Sequence, residues 1–539
     1  LQVIAHDDFG FSNFNIAFTI AESDTERARL PFTSYGEPYV VIEFLWNLVP
    51  LDLLPEDVVS YWIESYDNDN ISGPKMAKSK VFAARFPSIE EIVDELQKEQ
   101  ESQTDELTKS LKETQELADK LKEISRELQS ADQLDYEKRE DIKNLMNNQS
   151  EVIKNLENLS QELQESIDKM QDHKLAAEDI VSKMQEIRDI MEEIATEEMK
   201  KAMQEMQEAM QNMDMDKLRE AMKDFQMSQN ELLENLDRTL SLLKRIQMEQ
   251  KLSQLEKMTE EAVEKQDDID KNIDSENADK QIRKQDNQSD RLEAMEKSMK
   301  ELAEMMKEFE DAPQELAEKL KEEMQADQMP QMSQEISQNL SQKNKSAAKK
   351  KSSQLKKKME NFSEKLDQLK KKMNENLLED LKKNMVDVTR KLNYLSKMQE
   401  NNISQCEQSS VNQEQIKNIA RDQQEISKNL EKVSQQISEI ASKTFFLPPN
   451  AQQIVNDAIK KSQSSIQELS RSSCRTAGQK QKEAMAQMNR ASSLVLSSMN
   501  KMNESCNNPS SCPSGSESFF SQMESMCQGQ SGLNNEPCL

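Results

Sequence analysis

The chain has 539 residues and a formal net charge of −30, with 35% hydrophobic, 4% aromatic and 32% charged residues. One large globule needs far more bulky apolar side chains to fill a core, and unassisted duplex binding needs clustered Lys and Arg. What remains is either long helices burying narrow stripes or outright disorder.

Glycine separates the two: there are seven, and none lies between Gly73 and Gly478. Turns and flexible linkers use glycine freely, so the middle of the chain reads as mostly long helix. The expected fold is mainly α, long helices forming coiled-coil hairpins or a bundle, preceded by a partial immunoglobulin-like β-sandwich. The expected divisions are a β domain over 1–88, an acidic Met-rich coiled-coil region over 89–310 and a second helical region with a Lys-rich segment over 311–443. A C-terminal helical unit over 444–504 and a mostly disordered Cys/Ser-rich tail over 505–539 complete the chain.

Residues 1–88 hold both tryptophans, four of six tyrosines and eight of fifteen phenylalanines, so the aromatic core sits here. "FNIAFTIA", "YVVIEFLWNL", "VVSYWIESY" and "KVFAARF" alternate apolar and polar residues between Pro, Gly, Asn and Asp, as strands with one packed face do. Tyr61, after the proline turn of "LLPEDVVSY", resembles the corner tyrosine of such sandwiches. "LQVIAH" begins as though inside a strand, and the chain reads as a fragment whose N-terminal part, with any anchor, lies elsewhere. In "YDNDNISGP", Asp67, Asp69 and Asn70 are candidate Ca²⁺ ligands, but the spacing is not that of an EF-hand. A plain turn whose side chains cap backbone groups is the favoured reading.

"FPSIEEIVDEL" marks the switch to helix, with Ser88 as N-cap and Glu91 as its capping-box partner. Leu117, Leu121, Ile124 and Leu128 then keep heptad spacing, as do Leu156, Leu159, Leu163, Ile167 and Met170. Phase breaks near 131–138, 172–175, 212–216, 272–290, Pro313, 326–346, 401–412 and Pro448–Pro449 predict helices that fold back as hairpins.

"MKKAMQEMQEAMQNMDM" places Met199, Met203, Met206, Met210 and Met213 at steps of four and three, the seam of a coiled coil. Thioethers suit Cu(I), yet simple heptad packing demands the same spacing. The seam therefore reads as an adaptable packing surface for protein partners or for the chain itself. Asp214 and Asp216 are candidate caps for a second helix, which would lay Leu218, Met222, Phe225, Leu232 and Leu233 against the seam. Residues 343–372 carry twelve lysines against Glu360, Glu364 and Asp367. An anionic surface is one partner for them; a face that neutralises acidic helices beside it is the favoured reading.

Cys506, Cys512, Cys527 and Cys538 lack the paired spacing of a zinc site, so tail disulfides or free thiols are expected. His6 and His173 have no credible catalytic partner, and no phosphate loop or dinucleotide fingerprint occurs. No enzyme activity and no cofactor are expected.

"AHDDFG", "YWIESYDNDNISGPKMAKSKVFAARFP", "LLKRIQMEQKLSQLEKM" and "FFLPPNAQQIVNDAI" with its closing "FFSQMESMCQGQSGLNN" together resemble the bacterial domain-of-unknown-function family numbered 4175. The likeness runs through nearly the whole chain in order; the "YDNDNISGPK" block followed by "ARFPS" is its most specific part. Its members are large envelope proteins with N-terminal membrane helices, β-sandwich repeats and a Met- and Gln-rich helical region. The resemblance implies a membrane-anchored protein of the bacterial cell envelope, on the extracytoplasmic side. Two rival readings are a lipid-binding amphipathic protein on a membrane surface and an intracellular filament or chromosome-associated coiled coil.

Overall fold

Alternation of buried and half-exposed residues builds the N-terminal sheets of the computed structural model. It describes residues 1–506 apart from 21–24, 34–36, 49–50, 52–57, 70, 86–88, 131–134, 173–177, 195–196, 275–277 and 409–411. Ser88, Asn70, His173 and the tail from residue 507 therefore lie outside the described residues.

Strands β1 (Gln2–His6) and β4 (Tyr39–Glu43) pair antiparallel in one small sheet. The second sheet runs β3 (Glu26–Arg29), β2 (Phe11–Ile20), β5 (Val58–Asp67), with β6 (Met76–Lys78) and β7 (Phe82–Arg85) sharing the far edge of β5. Between β1 and β2 the "AHDDFG" turn is held by Asp7, whose Oδ2 accepts from the backbone N–H of Phe9 and Gly10, each at 3.0 Å. Gly10 takes φ of 90°, which favours glycine there.

Phe11, Phe14, Ile16, Leu30, Phe32, Val40 and Ile42 fill the core between the two sheets. Phe14 lies 5.0 Å from Phe32, edge to face. Tyr61 packs its ring against Trp46 and Phe82, at 5.3 and 5.6 Å between centroids. Of the strands read from sequence, "YVVIEFLWNL" stops at Glu43, while the short polar β3 and β6 carry no alternation that announces them.

The rest is helical: α1 (Ile89–Ser130), α2 (Tyr136–Asp172), α3 (Glu178–Ile194), α4 (Glu197–Gln211), α5 (Met215–Asn272) and α6 (Ala278–Met306). The chain continues with α7 (Gln314–Asp327), α8 (Met329–Ser341), α9 (Lys345–Cys406), α10 (Gln413–Ala441), α11 (Asn450–Ser470) and α12 (Cys474–Cys506). The fold is mainly α with a partial β domain, as the composition implies. Two compact units divide at Ser102 and Gln103, inside α1.

Caps set many of the helix starts. Asp214 accepts from the Lys217 N–H at 3.1 Å to begin α5, and Asn412 forms a full capping box with Gln415 to begin α10. Asn344 caps α9 through the Ala347 N–H.

Among the described residues of the helical unit, two large apolar cores are built along α9. The first gathers Met248–Ile273 of α5 and its end with α6, α7, α8 and the Ala348–Met373 part of α9. The second gathers Leu381–Leu395 of α9 with α10, α11 and α12. These cores cross the divisions read from sequence at 310 and 443, because α9 belongs to both. Each also encloses a layer of polar side chains. Gln266 donates to Gln285 at 3.1 Å and to Ser352 at 2.9 Å, and Gln285 donates to Ser333 at 2.6 Å, joining α5, α6, α9 and α8. Gln423 of α10 exchanges hydrogen bonds with Gln399 of α9 at 2.8 Å, donates to Ser462 of α11 at 2.7 Å and accepts from Gln481 of α12 at 3.0 Å.

Candidate functional site

The methionine stripe of α4 packs on α5 in a tight hairpin. Its helix ends at Gln211, Met213 turns left-handed at φ of 53°, and Asp214 opens the return helix. Asp214 also donates its backbone N–H to the Ala209 carbonyl at 3.0 Å, which closes the turn. Met199, Met206 and Met210 are buried and Met203 is half-buried. Met213 is 71% exposed, so it leaves the seam: a residue in the left-handed turn no longer follows the helical repeat. Ala202 and Ala209 are buried in its place, so large and small side chains alternate along the stripe.

Facing elements supply Leu218, Ala221, Met222, Phe225 and Leu232, all buried on α5, with Leu233 half-buried. The same helix is anchored to α1: Arg219 Nε donates to the Leu128 carbonyl at 3.0 Å and Gln229 to the Thr114 carbonyl at 3.2 Å. The seam is thus occupied by the chain's own α5. Burying each large side chain contributes about 1.5–3 kcal/mol, and Met adapts its three torsions to the irregular gap left by alternating Ala.

The carboxylates of the β5–β6 turn are engaged locally. Asp67 Oδ1 accepts from the backbone N–H of Lys75 at 2.8 Å and of Asp69 at 3.2 Å. Asp69 Oδ1 accepts from Ile71 and Ser72 at 2.9 and 3.0 Å, bonds that hold its carboxyl below the usual range. Asp67 and Asp69 thus serve as backbone caps of this turn. Asn70, the third candidate, lies outside the described residues. Among the described residues no three His, Cys, Asp or Glu side chains gather as a metal site would require.

The Lys-rich segment of α9 meets acids on neighbouring helices. Lys358 reaches Asp327 at 2.7 Å, Lys365 reaches Glu323 at 2.6 Å and Lys370 reaches Glu256 at 2.6 Å. Lys349 pairs with Asp274 at 3.1 Å, while Lys356 and Lys351 pair with Asp267 and Glu335. The lysines neutralise acidic α5, α7 and α8, and each exposed pair adds little stability by itself.

Three polar arrangements carry no signal in the sequence. Glu64 on β5, 2% exposed, receives a two-pronged contact from Arg27 at 2.9 and 3.2 Å, with Trp62 Nε1 at 3.1 Å and the Tyr66 hydroxyl at 3.2 Å. The Arg27 hydrogen bond is the main reason its carboxyl stays below the ordinary value. Arg238 of α5, buried, donates to the Leu447 carbonyl at 2.9 Å, which fixes the "FFLPPN" connection before α11; burial lowers its guanidinium to about 10. One turn earlier, burial and then the neighbouring Glu231 charge push Glu234 up to about 7, against a hydrogen bond with Asn456. Single charged residues on a polar helix look alike in sequence, and only the fold shows which are covered.

Fold and seam together define a multi-helix bundle protein with a small β-sandwich unit, whose Met-rich stripe is paired within the chain. No protein family, curated relative or solved structure is matched by the chain. None of the described helices is long and apolar enough to cross a membrane.

Proposed function

We propose that the chain is a non-enzymatic scaffold or stalk of a bacterial cell envelope, acting through helix–helix interactions with itself or with protein partners. A tie to the membrane belongs to that reading and rests on the resemblance alone. The observation that supports a stalk is α9. Its 62 residues run for roughly 93 Å at ~1.5 Å per residue. The first half packs into one core and the second half into the next, so bending between the two bodies requires breaking a continuous helix. A Gln layer in each body fixes how its four helices align. The envelope setting rests on the resemblance to the family numbered 4175.

The test is a pull-down of the full-length gene product from crosslinked cells. The expected result is recovery in the envelope fraction with protein crosslinks that require the region from Gln103 onward. Recovery in the soluble fraction overturns the envelope reading, and recovery in the envelope without protein crosslinks overturns the scaffold reading.

A further inference from the structure

Two free thiols meet where the end of α9 lies against the start of α12. Cys406 is the last residue of α9 and is buried with Ile419, Leu469 and Ala477; Cys474, the first residue of α12 and half-buried, packs on the same cluster. Three positions on α12 at spacings of four face this end of α9. Lys482 pairs with Glu407 at 2.7 Å. Gly478 comes next: a Cβ built there would lie 3.7 Å from the Cys406 Cβ, so the backbones approach as closely as two side-chain carbons allow. Cys474 is one turn further along and packs on the same small cluster as Cys406.

We propose that Cys406 and Cys474 form a reversible disulfide that clamps the end of the second helical body. Both thiols sit on one small apolar cluster, where the Glu407–Lys482 pair and the close approach at Gly478 hold the two helix ends together; a disulfide there brings the two Cβ atoms to about 3.5–4.5 Å. The oxidant is a small-molecule disulfide. The Cys474 sulfur attacks one of its sulfurs, the S–S bond breaks, and one small thiol leaves with the proton that Cys474 gives up. The Cys406 sulfur then attacks Cys474 Sγ and expels the second small thiol, which takes the Cys406 proton. Two protein thiols and one small disulfide thereby become one protein disulfide and two small thiols. Burial first, and the neighbouring Cys474 next, hold the Cys406 thiol above its ordinary value. Cys474 is the more accessible sulfur and makes the first attack. The chemistry is independent of the scaffold reading, because it needs only the oxidant and this pair.

The experiment uses the full chain with Cys506, Cys512, Cys527 and Cys538 each changed to Ser, incubated with oxidised glutathione. The expected result is a single linked peptide pair joining 406 and 474 in a non-reduced digest, loss of alkylation at both thiols, and a higher melting temperature that a reductant reverses. Cys406→Ser in the same background stalls with glutathione attached at Cys474. Both thiols remaining open to alkylation, or Cys474 stalling as the glutathione adduct while Cys406 is present, overturns the proposal. The unsubstituted chain, mapped in parallel, guards against a folding defect from the tail changes. There too the 406–474 link must dominate, and a link from either residue to a tail cysteine in its place overturns the clamp.

Discussion

Arg245 of α5 and Asp311, in the connection between α6 and α7, form a two-pronged ion pair at 2.9 and 3.0 Å with both side chains 5% exposed. The guanidinium also lies over the Phe309 ring, 4.6 Å from its centroid. The pair fixes a connection that has no glycine and only Pro313 to stop α6 from continuing. Breaking it strands a buried cation. Asp311→Ala should therefore cost about 3–5 kcal/mol, whereas changing both partners to apolar residues of similar volume should cost far less. Denaturant melts of the two variants, with hydrogen exchange of residues 307–313, check the ordering. Equal losses in both would mean that the pair is not what holds the connection.

Glu234 gives the chain a pH dependence of definite sign. The unfolded chain releases this proton near 4.5, the folded chain only near 7. Stability supplied by the neutral carboxyl is present below 4.5, falls as pH rises to about 7, and does not return above it. Glu234→Gln should accordingly leave stability unchanged near pH 4 and raise it at pH 8 by roughly 1–3 kcal/mol. The difference in denaturation midpoint between variant and parent, followed from pH 4 to pH 8, measures this. A difference that shrinks as pH rises would refute the assignment.

The hairpin at residues 212–214 was legible because two signals coincide there: an apolar stripe stops, and Asp214 can cap the next helix. The misplaced Met213 shows the limit. At Met213, Gln328, Lys343 and Ser472 the chain takes left-handed φ of 47–62° without glycine, at a cost of about 1–2 kcal/mol each. Glycine normally announces such turns, so the heptad count runs on past the true helix end at Gln211 and hides the break at Ser472 altogether. The expected break over 326–346 likewise conceals a whole helix, α8, between two such residues. The Gln layers were not legible for a different reason. Gln423 and Gln266 look like any of the solvated glutamines around them until four helices close over them.

Leucine in the α4 stripe tests whether softness matters there. Met206 is fully buried and Met203 half-buried, with Met210 nearly covered, so Leu at all three changes volume little. Thermal stability should hold or rise, and any loss should stay below about 1.5 kcal/mol for each swap. Tight stoichiometric Cu(I) binding that this triple replacement abolishes would turn the stripe into a metal site. Distances from the turn are similar for Met206 and Met222, so cysteines at these two positions should crosslink within one chain. Crosslinking of residue 206 to its own copy in a second chain would instead make the hairpin a dimer seam.

Gln423 should be the costliest of the glutamines to lose. It is fully buried and its amide joins α10 to α9, α11 and α12 at once through Gln399, Ser462 and Gln481. Gln423→Leu removes one partner from each, leaving the Ser462 hydroxyl and the Gln481 and Gln399 amides short of bonds they cannot replace with water. Each stranded group costs about 1–3 kcal/mol, so the single change should lower stability by several kcal/mol. A layer rebuilt wholly from Leu at 399, 402, 423 and 481 with Ser462→Ala also removes the Asn402 amide that donates to Gln423 at 3.4 Å, and should recover most of that loss. What it gives up is alignment. A leucine layer packs nearly as well after one helix slides along its neighbour, whereas Gln423 meets its partners on all three helices at one register only. Crosslinking between cysteines placed at Lys391 and Gln436, which are joined at 2.9 Å in the parent, reads that register directly. The parent should give one crosslink and the leucine layer several neighbouring ones. A leucine layer as singly registered as the parent would show that apolar packing alone aligns α9 with α10.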